Sequence, residues 1–323
     1  LVLVVSIVTS VAVEWALLKI SKDASVRDGS AFLTGLLIGL NMPVDVAIVV
    51  PIIASAFAIF VVKWSFGGLG ANWMNPALAG RVFVFFSFTG LMNTYRLPRT
   101  LAPYAVDASS SATVLSQIKI AVTDGAAPFM SSTEILSATQ YPSTPFAQKV
   151  SGMFSSINLN LSEYTVDAFF GNIPGCIGEV SAFLLIVGGI YLMVKKIITW
   201  HIPVSFLGSF ALFAYVFGGL RNSLGLFSGD FVLQVFSGGM IIGALFMATD
   251  MVSSPVTHKG MIIYGVGIGF FSFLLRYFGS LPESVSLAIL LVNIFVPTID
   301  RYIMPKRFGE VMKQPKKKKE VKV

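Results

Sequence analysis

The ten residues Asp107–Ser116, DASSSATVLS, put an acidic side chain and a run of hydroxyls into a chain that is 55% hydrophobic. Two kinds of chemistry fit such a run. One is conformational: Ser and Thr oxygens bond nearby backbone amides and make turns and linkers. The other is covalent, with one hydroxyl accepting a group from a modifying enzyme. Other chemistry-bearing residues are few. Glu14, Arg81 and Asp250 fall within or beside apolar runs, where a charge is costly and marks an ion or ligand pathway. Asn75-Pro76-Ala77 matches the tripeptide of water channels, but Asn before Pro is also ordinary helix capping, and the corresponding place later in the chain offers Ser254-Pro255-Val256. We read it as a cap. The single cysteine, Cys176, excludes an intrachain disulfide and any cluster held by cysteines of this chain alone. His201 and His258 are scattered and read as polar residues at helix ends, not as a metal site.

The elements that must position these residues are apolar. Only 12% of the 323 residues are charged, against about 25% in soluble domains. Hydrophobic runs cover approximately 1–18, 29–40, 44–63, 73–92, 177–194, 200–218, 233–249, 260–278 and 284–303. Most are long enough to cross a hydrocarbon core of about 30 Å. They are too continuous for the alternating strands of an outer-membrane barrel. The chain therefore reads as an all-α polytopic membrane protein, and Leu1 already lies inside an apolar run, which suggests that a natural start is missing. The net charge of +7 is largely the end of the chain, KRFGEVMKQPKKKKEVKV from Lys306. A cytoplasmic, membrane-facing tail explains it more simply than nucleic-acid binding.

Counting crossings back from that tail puts the Lys19–Arg27 turn, Lys63, Lys195-Lys196 and His258-Lys259 inside as well. Outside are Arg96, Arg99, Lys119, Lys149, Arg221 and Arg276, with Arg81 in a span. Residues 1–92 then form a first membrane half, 93–175 an outward-facing loop, 176–304 a second half and 305–323 the inner tail. The loop is long enough to be either functional or disordered, and the reading puts Thr113 in an exposed part of it. A repeat runs through the halves: GSAFLTGLLIGLNMP (29–43) resembles GGMIIGALFMATDMV (238–252), each glycine-led, short and ending at a polar Asn41 or Asp250. The orientation count runs one copy inward-to-outward and the other outward-to-inward. The expectation is an inverted-topology repeat of five plus five helices, with the first absent from this chain. Backbone that leaves the helical ladder at membrane depth must line a cavity or be buried in protein, so the two glycine-led segments are expected to build a central ligand site.

Asp107, Ser110, Ala112 and Thr113 match in order the Asp-x-x-Ser/Thr-Gly-Ala-Thr pattern at which flavin transferases attach FMN, with Ser111 where glycine is usual. In that pattern the last threonine forms a phosphoester with the flavin phosphate. DGSAFLTGLLIGLNMP, FGGLGANWMNPALAGRVF, GNIPGCIGEVSAFLLIVGGIYLMVKKIITWHIPVSFLG, GALFMATDMVSSPVT and PTIDRY together resemble the D subunit of Rnf complexes, the ion-translocating ferredoxin:NAD+ oxidoreductases. The likeness runs from about residue 10 to 308, excluding 117–168. The chain is similar, more distantly, to the B subunit of the sodium-pumping NADH:quinone oxidoreductase, which is longer at its N-terminus. The resemblance implies a urea-transporter-like inverted repeat in a prokaryotic inner membrane and a covalent FMN on Thr113. It further implies an electron-carrying role within a complex of A, B, C, E and G subunits, and a flavin transferase during maturation. A noncovalent riboflavin or other flavin between the glycine-led segments would bridge the membrane to the NAD+-reducing side. Na+ or H+ would move with the electrons, with Glu14, Arg81 and Asp250 as pathway candidates. The competing classes are a transporter or channel of the same fold without redox chemistry, and a structural subunit that is never flavinylated.

Overall fold

The computed structural model describes residues 1–21, 28–98, 112–125, 129–156, 161–279 and 284–303. Among them every regular element is helical and there is no strand. The first half opens with α1 (Val2–Ser21), apolar around most of its circumference as a membrane helix must be, with Glu14 as its one acidic residue. Helix α2 (Ser30–Leu40) begins behind Gly29, whose φ of 72° only glycine adopts cheaply, and the Asp28 carboxylate accepts from the Ser30 amide at 2.9 Å. Gly35 and Gly39 form one face of α2 packed against α1. A Cβ at Gly35 would lie 2.7 Å from the Ile7 Cα, so the two backbones touch as small-residue membrane interfaces do. Helix α3 (Val49–Phe57) runs on through a π-turn (Ala58–Lys63) and a 3₁₀ turn (Trp64–Phe66). Helix α4 (Pro76–Ser87) is followed by the single turn α5 (Thr89–Met92).

The 93–175 segment is not the plain loop that its length suggested. It holds α6 (Val114–Thr123), α7 (Ser132–Ala138), α8 (Pro145–Ser155) and α9 (Glu163–Phe170). Each starts at a hydroxyl cap: Thr113, Ser131 with Glu134 in a reciprocal box, Thr144 before Pro145, and Ser162. Val114, Ile118, Ile135, Leu136, Tyr141 and Tyr164 form a small core of their own, joined to the second half by Leu233. Asp167 fixes this unit from within. Its carboxylate accepts from the Thr144 amide at 2.9 Å, the Thr144 hydroxyl at 2.5 Å and the Asn172 amide group at 3.1 Å.

The second half comprises α10 (Ala182–Val194), α11 (His201–Phe217, extended by a 3₁₀ turn to Asn222), α12 (Phe231–Phe236) and α13 (Met240–Ile242, extended by a π-turn to Met247). Then come α14 (His258–Tyr277), α15 (Val285–Asn293) and α16 (Val296–Tyr302). Gly265 and Gly269 of α14 lie on the α11 backbone, where a Cβ would meet the Ile202 and Phe206 carbonyls at 2.9 and 2.8 Å. Among the described residues four helices are long and apolar enough to cross a membrane: Val2–Ile20, Val49–Phe66, His201–Asn222 and His258–Tyr277. The α15–α16 pair, bent by 47°, makes a fifth if it is one span. The chain is a multi-pass membrane protein. Each of the nine expected apolar segments carries helix, but several are shorter than a full crossing, α2, α4 and α10 among them. Helices α1 to α4 run long, short, long, short; α11 to α15 run long, short, short, long, short, the α12–α13 pair falling where α2 falls in the first run, and α4 packs on α15.

Candidate functional site

Thr113 is not exposed. It is 6% accessible and is the N-cap of α6, with its Oγ1 accepting from the Ser116 amide at 3.2 Å and lying 2.8 Å from the Ser116 hydroxyl. Behind it the Ala112 carbonyl accepts from the Tyr141 hydroxyl at 3.2 Å. Thr113 shares a cavity of about 10 Å³ with Leu115, Pro174, Glu179, Ser237 and Gly238. The Thr113 hydroxyl therefore stands at the amide end of a ten-residue helix, beside the glycines that precede α13. Free amides at a helix start suit a phosphate. Asp107 and Ser110 lie outside the described residues.

Glu179 links this point to the membrane interior. Its carboxylate is 3.3 Å from the Arg81 guanidinium, and both side chains are almost wholly buried. Arg81 also donates to the Ser286 hydroxyl and lies 3.6 Å from the Cys176 sulfur. One cation so ties α4 of the first half, α15 of the second and the 176–179 stretch between them. Gly239 is shaped by this pair: a Cβ there would approach a Glu179 oxygen at 2.6 Å.

Away from Thr113, the two glycine-led segments meet. The Asn41 amide group at the end of α2 donates to the Met247 sulfur at 3.7 Å, and the Asn75 amide group donates to the Met247 carbonyl at 3.2 Å. Beside these contacts is a cavity of about 450 Å³. Its polar lining includes Ser30, Thr34, Asn72, Thr249 and Asp250, set among apolar side chains such as Leu33, Leu37 and Phe246. That volume and mixture are those of a small-molecule site. Asp250 accepts from the Ser253 hydroxyl at 2.9 Å. Lys63 lines the same cavity and is paired with Glu14 of α1 and with the Ser30 hydroxyl. Asn75 caps α4, its side-chain oxygen accepting from the Ala77 and Leu78 amides at 3.0 and 3.2 Å.

The structure thus divides the three intramembrane candidates. Asp250 and, through Lys63, Glu14 belong to the large cavity, whereas Arg81 belongs with Glu179 and the Thr113 side. Lys63, counted from the sequence as an inner charge, and Glu179, given no role there, are both buried partners of other charges. The sequence count makes Arg276 an external charge, yet Arg276 is 5% exposed. The histidines are not scattered in space: their ring centroids lie 4.4 Å apart at the starts of α11 and α14. No group of three or more His, Cys, Asp or Glu residues suited to a metal occurs among the described residues.

The fold and its sites define a class: a multi-pass helical membrane protein with a ligand-sized cavity between α2 and α13. Within it the assignment is specific: the NQR2, RnfD, RnfE family description matches residues 1–309, and the chain belongs to that family. It is similar to the D subunit of the proton-translocating ferredoxin:NAD(+) oxidoreductase complex of Clostridium ljungdahlii, with 37% identity over 309 residues, 95% of this chain and 83% of the relative. The D subunit of the Na(+)-translocating ferredoxin:NAD(+) oxidoreductase complex of Acetobacterium woodii is 36% identical over 307 residues, covering 94% and 81%. The D subunit of an ion-translocating oxidoreductase complex of Stutzerimonas stutzeri is 34% identical over 289 residues, covering 87% and 76%.

Proposed function

We propose that this chain is the D-type subunit of an ion-translocating ferredoxin:NAD+ oxidoreductase, working with A, B, C, E and G subunits, and that Thr113 carries FMN as a phosphoester. The observation that carries the reading is the position of Thr113: the motif's threonine is the cap of α6, beside Gly238 and the Arg81–Glu179 pair. FMN passes electrons singly or in pairs, which suits a relay to a hydride acceptor. The protein's part is to hold it. The amides of the first turn of α6 would hold the phosphate, and the helix dipole would favour that charge.

A covalent flavin on the outer side would leave a gap to an NAD+-reducing partner on the inner side. The 450 Å³ cavity between α2 and α13 is where a noncovalent flavin would bridge it. Thr34, Asn72 and Thr249 would offer it hydrogen bonds, and Leu33, Leu37 and Phe246 apolar surface. The shared order of long and short helices supports an inverted repeat about this cavity. Glu14–Lys63 and Asp250 are the charges through which Na+ or H+ movement would couple.

The test is the intact mass and in-gel flavin fluorescence of the denatured chain purified with its complex. The expected mass increment is one FMN phosphoester, lost in Thr113→Ala, while acid extraction of that variant still releases a noncovalent flavin. A colourless chain of unmodified mass would refute the covalent FMN and leave the non-redox transporter or the subunit that is never flavinylated.

A further inference from the structure

A second cleft lies on the other side of α6 and is used by none of the roles above. Lys119 of α6, Arg221 after α11 and Arg276 of α14 line it together, with Asp230 as the one carboxylate of the described lining. Its floor is Arg276, 5% exposed, whose guanidinium donates to the Gln234 carbonyl at 2.5 Å and lies 5.2 Å over the Phe210 ring. Its rim is Arg221, held by the Tyr277 carbonyl at 2.5 Å and the Thr123 hydroxyl at 3.2 Å. Ser131, Ser132 and Asn222 add neutral polar groups to the lining. The elements contributing cations come from three separate parts of the chain, so the convergence is built by the fold and not by a local run of charge.

Like charges gathered in a partly buried cleft repel in proportion to their desolvation. Burial, then Arg221 and Arg276, push the Lys119 ammonium down to about 8. The cavity is about 40 Å³, room for roughly three waters by the usual measure, or for one tetrahedral oxyanion. It is too small for a flavin ring. Planar guanidinium forks are the side chains best matched to phosphate oxygens, with a lysine adding a point charge. Gly238, at a φ of 67°, packs closely behind Leu115: a Cβ there would sit 2.9 Å from the Leu115 side chain and 3.6 Å from the Arg276 Nη2.

We propose that Lys119, Arg221 and Arg276 form an oxyanion site for a phosphate group, either inorganic phosphate or the headgroup of an anionic phospholipid. The site is independent of whether Thr113 carries a flavin. Occupancy screens the three cations and knits α6 to α11 and α14, so it fastens the 112–175 unit to the membrane bundle.

The experiment reads Lys119 directly. The whole purified complex, stripped of lipid, is acetylated with a neutral succinimidyl ester at pH 8, and labelling of Lys119 is followed by mass spectrometry with Lys149 as internal reference. Inorganic phosphate at about four times its dissociation constant should slow Lys119 labelling about fivefold relative to chloride at equal ionic strength, as one-site occupancy requires. In a parallel arm the complex is placed in phosphatidylglycerol or phosphatidylcholine nanodiscs. Protection by free phosphate identifies a soluble oxyanion as ligand; protection only in phosphatidylglycerol identifies a headgroup. Either supports the site, provided Arg276→Gln or the rim variant Arg221→Gln removes the protection. Arg221→Gln alone decides if Arg276→Gln fails to fold. Unchanged labelling in both arms, or protection that survives the variants, overturns it.

Discussion

Replacing Arg81 with methionine removes one end of a buried ion pair while keeping most of the side-chain volume. What remains is the Glu179 carboxylate, about 1% exposed as a side chain, without the guanidinium now 3.3 Å away. Removing one partner of a buried pair costs about 3–5 kcal/mol, because the other charge stays desolvated, whereas neutralising both is close to energetically even. Arg81→Met also abandons the Ser286 and Cys176 contacts, so the upper part of that range is expected. The double variant Arg81→Met/Glu179→Gln should recover about 2 kcal/mol or more of the loss, since Gln presents no charge to bury. The assay is a cycle of four proteins heated in detergent, with the folded fraction read by size exclusion. Arg81→Lys should behave as a destabilised variant too, because a point ammonium cannot face three partners from one plane. Additive losses in the double variant would refute the reasoning, showing that Arg81 acts through packing alone.

Four further outcomes follow from the geometry. Thr113→Ala removes covalent flavin and, through loss of the cap, weakens α6 by about 1 kcal/mol, seen as faster amide exchange over 114–118; Thr113→Ser should keep the cap, and a denatured Thr113→Ala chain that still fluoresces would place the anchor elsewhere. Gly35→Val drives a side chain into the α1 backbone and should abolish assembly, whereas Gly90→Val, with open space around it, should not. Lys119 acetylation in oxyanion-free buffer should rise with pH about a midpoint near 8 in place of 10.5; because the folded value is depressed, the stability Lys119 contributes is complete above 10.5 and is lost as pH falls through about 8, so the 112–175 unit should be firmer at pH 9 than at pH 7. Single cysteines at Ser116 and Lys317 in a Cys176→Ser background should show opposite accessibility to an impermeant reagent added outside cells, and equal labelling would sink the proposed orientation.

The helices were legible because hydropathy and caps are local signals. Thr113, Ser131, Thr144 and Ser162 each announce a helix within three residues, and the α6–α9 unit could have been drawn from them had its length not suggested a loop. The glycine-led segments were legible for the same reason, as glycines at regular spacing. Charge pairing was not. Glu14 and Lys63 are 49 residues apart, and Arg81 and Glu179 are 98 positions apart. Each alone resembles an interfacial residue, and only the packing of α1 on α3, or of α4 beside the 176–179 stretch, reveals the partner. The histidine contact and the cation cleft were invisible likewise, since each is assembled from segments with no common pattern.

The cap on α6 also bears on the order of events during biosynthesis. Thr113 Oγ1 is engaged by Ser116 and shielded to 6% exposure once α6 has docked. A hydroxyl held that way is a poor substrate for any enzyme that must surround it, and freeing it requires fraying the first turn at a cost of about 1 kcal/mol for the cap plus the apolar contacts of Val114 and Leu115. If Thr113 carries the flavin proposed above, loading is expected to precede docking of α6 on the nascent chain. A transferase given the mature apo-complex would work at the pace of helix fraying, and loosening α6 would speed it. The same closure that delays such a modification would afterwards guard the ester from water, so one helix end would serve as both gatekeeper and seal.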